Sequence, residues 1–89
     1  MARPYKVVLR EKDLSMPQDV HELLAQELGF PDYYGANLDA LEECLGEIYH
    51  PTRIVVRRDD QEPKPWFDAF VDVIRDSAQR SCYLGCSLR

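Results

Sequence analysis

Arg53-Ile54-Val55-Val56-Arg57 is a short apolar run bracketed by two arginines. Its β-branched centre reads as a strand. The apolar residues are consecutive rather than alternating, which suits a strand covered on both faces, as in a parallel sheet layered with helices. The chain on either side agrees. Upstream, Leu38, Leu41, Leu45 and Ile48 recur at helical spacing and form a buried stripe; Asn37 is a good N-cap, and His50-Pro51 ends the helix. Downstream, Arg58 to Lys64 is a polar connection containing Pro63. Pro65 then opens a helix whose one face carries Trp66, Phe67, Phe70, Val71, Ile74 and Ala78. Cys82 to Leu88 reads as a last strand, weakened by Gly85.

The N-terminal part adds Tyr5-Lys6-Val7-Val8-Leu9 as a first strand. Ser15-Met16-Pro17-Gln18 resembles a helix start, with Ser15 as acceptor and Gln18 completing a capping box. Val20, Leu23, Leu24 and Leu28 fall on one face of that helix, and Gly29 is its stop. Phe30-Pro31-Asp32-Tyr33-Tyr34-Gly35 is a loop in which Gly35 permits a positive φ. The order is β-α-α-β-α-β. Helices between strands favour parallel pairing with right-handed crossovers. The expectation is one α/β domain over residues 1–89, a three-stranded parallel sheet flanked by helices.

At 89 residues, 45% hydrophobic and 30% charged, the chain has the composition of an ordinary globular domain with one modest core. No apolar run approaches the roughly 18 residues of a membrane span, and the N-terminus lacks a secretory pattern, so a cytoplasmic location is expected. Cys44, Cys82 and Cys86 are odd in number and without C-x-x-C spacing, which favours buried or partly buried free thiols over a zinc site; a Cys44–Cys82 contact stays open.

Charge is more informative. Between Asp13 and Thr52 the sequence holds nine acids and no Lys or Arg; the rest holds 11 bases against 7 acids. Such a dipole gives one face suited to a basic partner and disfavours direct contact of the acidic half with nucleic-acid phosphate. On the helix opened by Asn37, the side opposite the apolar stripe carries Asp39, Glu42, Glu43 and Glu47. Like charges four apart on a helix cost about 0.2–0.5 kcal/mol per pair. Asp39–Glu43 and Glu43–Glu47 are two such pairs, and no nearby base in the sequence relieves them. A solvated acidic helix face is the plain reading. The alternative is a row of carboxylates that imitates phosphates and fits a basic pocket. Tyr33 and Tyr34, immediately upstream, favour the second reading, because tyrosine is amphipathic, stiff and enriched at interfaces, although one of the pair can equally be a core residue.

The segment Pro31-Asp32-Tyr33-Tyr34-Gly35-Ala36-Asn37-Leu38-Asp39-Ala40-Leu41 resembles the signature of the barstar family, intracellular inhibitors of barnase-type ribonucleases. A weaker likeness covers nearly the whole chain. The resemblance implies a three-stranded parallel sheet flanked by helices. It also implies that the second helix and its preceding loop plug a ribonuclease active site. By position, Tyr33 would pack on the enzyme's catalytic groups, and Asp39 and Glu43 would pair with its arginines and histidine. Tyr34, Gly35, Asn37, Leu38, Ala40 and Glu42 would complete the surface, and Asp76 would add a peripheral charge. Cys44 and Cys82 match the family's two cysteine positions. Three positions depart: Glu43 stands where the family commonly has aspartate, Glu42 where the best-known member has tryptophan, and Ile48 replaces an aromatic. The connection from Arg57 to Pro65 also looks shorter than the family's, leaving little room for the helix it can hold.

These readings imply a small basic bacterial ribonuclease as partner, no cofactor, no metal and no catalytic residues. The rival from a different class is an interaction module of the same fold for a non-ribonuclease basic partner. An enzyme is disfavoured: His21 and His50 are the only histidines, and no nucleophile–base spacing or phosphate loop is present. Arg53, Arg57, Arg58, Arg75 and Arg80 read as solvation of element ends rather than an RNA surface.

Overall fold

A computed structural model describes residues 5–58 and 64–88. Strand β1 (Tyr5–Arg10) is followed by a short 3-10 turn (Glu11–Asp13). Helix α1 (Pro17–Leu28), helix α2 (Leu38–Gly46), strand β2 (Thr52–Arg57), helix α3 (Pro65–Arg80) and strand β3 (Leu84–Leu88) follow. The sheet is parallel in the order β1-β2-β3, with Val7 opposite Ile54 and Ile54 opposite Cys86. The element order and the three-stranded parallel sheet are those expected from the sequence. The proposed brevity of the Arg57–Pro65 connection falls largely on residues 59–63, outside the described residues.

The consecutive apolar run of β2 has a different cause from the one expected. Val7, Leu9, Ile54, Val56 and Leu84 alternate onto one sheet face and share a single core with Val20, Leu24, Leu41, Leu45, Phe67, Phe70 and Ile74. All three helices therefore cover the same face. Val55 points the other way, yet it is only 4% exposed, while Val8 beside it on β1 is 37% exposed. Val55 is shielded because β2 is the central strand. Lys6, Arg10, Arg53 and Arg57 share that outer face by alternation, and Arg53 donates to Ser87 Oγ at 2.7 Å. Charges on an open sheet face discourage stacking against another sheet.

The helix ends follow local chemistry with one substitution. Met16, not Ser15, is the N-cap of α1 and contributes no side-chain bond. Asp19, inside the first turn, instead accepts from the Ser15 backbone N–H at 2.9 Å, where the helix dipole also favours a carboxylate. Gly29 closes α1 at φ 67, and both its N–H and that of Phe30 donate to Ala25 O. Ile48 lies beyond the end of α2 but still packs, half-buried, on the core.

Glu11 is an unexpected core residue. Its side chain is 1% exposed and accepts from Arg58 at both oxygens, 3.2 and 3.1 Å, and from the Lys64 backbone N–H at 2.8 Å. Lys64 Nζ donates to Glu11 O at 2.9 Å. Arg58 also pairs with Asp68 and lies 5.5 Å over the Phe67 ring. One carboxylate thus joins the end of β1, the end of β2 and the start of α3.

Candidate functional site

The loop before α2 is held at both ends. Tyr34 N–H donates to Pro31 O at 2.9 Å, making a turn. Asn37 Oδ1 accepts from Ala40 N–H at 2.8 Å, and its Nδ2 donates to Gly35 O at 3.4 Å. One side chain therefore caps α2 and clamps the loop to it. The positive φ expected at Gly35 is found instead at Ala36, at 52°. Gly35 is needed for space: a Cβ there would lie 3.1 Å from Asn37 Nδ2 and 3.7 Å from the Ala40 Cβ. The left-handed turn falls on the next residue because the clamp fixes Gly35 against the cap.

The two tyrosines separate. Tyr33 is 87% exposed. Tyr34 turns inward, packs its ring at a tilt against Phe30 with centroids 4.9 Å apart, and its hydroxyl lies 2.5 Å from His21 Nδ1. His21, 5% exposed, packs its ring edge-on to Phe70 at 4.9 Å. Burial pushes the Tyr34 hydroxyl up to about 12, with Cys44 adding to the shift, so the phenol is neutral. Burial also holds His21 below its ordinary value, which favours the neutral imidazole, and the two share one hydrogen bond whose direction is set by the imidazole tautomer. Tyr34 is thereby the anchor that presents Tyr33.

This arrangement predicts a pH dependence. The unfolded chain protonates His21 near about pH 6.5, whereas the fold resists the proton until lower pH. The stability is fully present above that value and falls as pH drops from about 6.5 toward the folded value, by at most about 1.4 kcal/mol per pH unit. Urea denaturation between pH 7 and 5 measures the slope, and His21→Gln flattens it.

On α2, Asp39, Glu42 and Glu43 are exposed, and Ala40 and Leu38 are half-buried. Leu38 packs on the core. Glu47 is the C-cap. Among the described residues no cation pairs with Asp39, Glu43 or Glu47. Glu42 differs. The sequence offered no base near the acidic helix, but Arg80 at the end of α3 reaches Glu42 Oε1 at 2.5 Å and Asp76 Oδ2 at 2.9 Å. The Asp76–Arg80 spacing of four on one helix was readable; the Glu42 contact depends on how α2 packs against α3 and was not. Asp76 is brought beside the acidic helix through this arginine.

The thiols are free. Cys44 and Cys86 are half-buried and Cys82 is exposed, which corrects the expectation of burial at that position: the strand begins only at Leu84. Burial first, then the carboxylates of Glu47 and Glu43, push the Cys44 thiol up, making it a poor nucleophile. Among the described residues no group of His, Cys, Asp or Glu is placed to hold a metal, and no helix is long and apolar enough to cross a membrane.

The candidate site is a carboxylate-rich helix face, capped and clamped at its start by Asn37 and edged by one outward tyrosine. Comparison with known proteins agrees with the resemblance read from the loop and helix. A Bacillus subtilis (strain 168) protein named "Putative ribonuclease inhibitor YrdF" is 40% identical over 53 residues, a match covering 58% of this chain and 58% of that protein. The chain thus spans less than two thirds of the length of the relative it matches. The family model described as Barstar (barnase inhibitor) matches residues 5–80. With that match running from β1 to the end of α3, the chain belongs to the barstar family.

Proposed function

We propose that this protein is a ribonuclease inhibitor of the barstar type. It blocks the basic active site of a small bacterial ribonuclease with the outer face of α2 and the tyrosine loop before it. The observation that carries the reading is the pair Asp39 and Glu43. They are exposed one turn apart on a capped helix, without a cation partner among the described residues. Two like charges so placed repel each other in the free protein, and an arginine-lined phosphate site relieves that repulsion through charge-assisted hydrogen bonds. Tyr33 supplies an apolar ring with a polar tip at the edge of the same face. The protein acts by occupying a site, not by catalysis, so it needs no cofactor. Its complement is a cationic protein and not a nucleic acid, because a row of carboxylates repels phosphate.

Glu43 and Glu42 set the target apart within the family. A glutamate carries its carboxylate one methylene further out than aspartate, and a cognate pocket must be correspondingly deeper or wider. The test is RNA cleavage by a panel of small secreted bacterial ribonucleases, together with any from the same organism, with purified protein added at micromolar concentration and low salt. Inhibition of at least one enzyme is expected. Failure against the whole panel would leave the acidic face to a different basic protein.

A further inference from the structure

We infer that Arg80 determines the selectivity of the acidic face by masking part of it; the inference rests on the partner-binding reading above. Its guanidinium bridges Glu42 on α2 and Asp76 on α3, at 2.5 and 2.9 Å. The acids of this face therefore form two zones. Asp39 and Glu43, with Glu47 at the C-cap of α2, form an uncompensated zone with no cation partner among the described residues. Glu42, Asp76 and Arg80 form a triad with a net charge of about −1. The sequence alone presents five acids in this region without distinction; the fold pairs Glu42 and Asp76 with Arg80 and leaves Asp39, Glu43 and Glu47 without a cation among the described residues.

The bridge is a reversible mask. The side chains of Arg80, Glu42 and Asp76 are 59%, 46% and 62% exposed. Arg80, Glu42 and Glu43 line one open groove of about 530 Å³ between α2 and α3. Exposed pairs of this kind contribute little to stability, and water competes for each partner. Their effect on association is larger, because a fixed cation beside an acidic patch lowers its attraction for any approaching polycation. A partner with cations spread over a broad surface meets Arg80 and is repelled. A partner with cations clustered opposite Asp39 and Glu43 meets carboxylates that Arg80 does not pair with. The kind of partner this surface fits is a basic protein with a compact cationic cleft.

The test compares Arg80→Ala with Arg75→Ala, which removes the same charge from an exposed position of α3 that, among the described residues, forms no ion pair with these acids. Two probes are used: poly-L-lysine as a diffuse polycation, and each ribonuclease of the panel. Arg80→Ala is expected to raise poly-L-lysine affinity by about two- to fivefold at low salt, and Arg75→Ala by clearly less. Among inhibited ribonucleases, Arg80→Ala narrows the difference between the best and the weakest target. Equal effects of the two substitutions on poly-L-lysine would overturn the mask, as would tighter discrimination or weaker binding in Arg80→Ala. The poly-L-lysine arm reads the mask even when no ribonuclease in the panel is inhibited, so failure of the functional reading and failure of this inference stay distinct.

Discussion

Replacing Glu43 or Asp39 by alanine is expected to weaken inhibition of the target ribonuclease by about 2 kcal/mol or more each, roughly 30-fold, at low salt. Glu22→Ala, which removes an exposed acid from α1, is expected to change it by at most a few tenths of a kcal/mol. The difference follows from desolvation. In the free protein all three carboxylates are exposed. In the proposed complex Asp39 and Glu43 would be enclosed against cations, where each charge-assisted bond is stronger and an unpaired cation left on the enzyme is costly. Barnase and barstar are among the pairs on which such magnitudes rest, so the figure is carried over from the family. The helix supports the effect, because Asn37 caps α2 and holds the loop at Gly35, leaving little order to be gained on binding. Inhibition constants for the three variants across a salt series decide the matter. Equal losses would mean that the charge acts diffusely and the interface lies elsewhere.

Glu11→Ala is expected to destabilise the fold by about 2–3 kcal/mol. Breaking a buried ion pair from one side costs about 3–5 kcal/mol, because the remaining charge is stranded. The lower figure applies because the Arg58 side chain is 32% exposed and regains water. The Lys64 backbone N–H at the start of α3 also loses its acceptor. Burial alone would push the Glu11 carboxyl up. The Arg58 and Lys64 hydrogen bonds, with the attraction of both cations, outweigh it and hold the group below its ordinary value. The sign of the pH dependence follows. The contribution is present above the unfolded carboxyl value of about 4.3 and is lost as pH falls through the lower folded value. This window opens at about pH 4.3 whereas that of His21 opens at about 6.5, so a denaturation series down through both values, with Glu11→Gln and His21→Gln beside the parent, separates the two. Glu11→Gln keeps the volume and one acceptor, loses less stability than alanine, and removes this acid dependence. A change within about 0.5 kcal/mol for Glu11→Ala, the range of an ordinary surface site, would show that the cluster contributes nothing.

The architecture was legible where local rules and periodicity agree. Pro17 and Gly29 bracket α1, Asn37 opens α2 and Pro65 opens α3, because caps and stops are local chemistry. The stripe of Leu41 and Leu45 on α2 and that of Phe67, Phe70 and Ile74 on α3 are core in the structure. What was not legible required distant chain. A glutamate following a strand reads as a polar loop residue, and only the convergence of Arg58 and Lys64 makes Glu11 a core group. Among the described residues no second helical layer covers Val55, because a central strand buries its outward side chain without one. In the candidate site, the exposure of Tyr33, Asp39 and Glu43 agrees with the sequence pattern. The inward role of Tyr34 and the Arg80 bridge depend on packing between elements far apart in sequence.

The central claim is that the acidic face of α2 fills the place of RNA in a ribonuclease active site. Steady-state RNA cleavage at several substrate concentrations, with and without the protein, tests it most directly. Competitive inhibition is expected at low salt: the apparent KM rises, kcat is unchanged, and the effect fades as salt is added. Inhibition that lowers kcat without moving KM, or no inhibition of any ribonuclease in the panel, would contradict it.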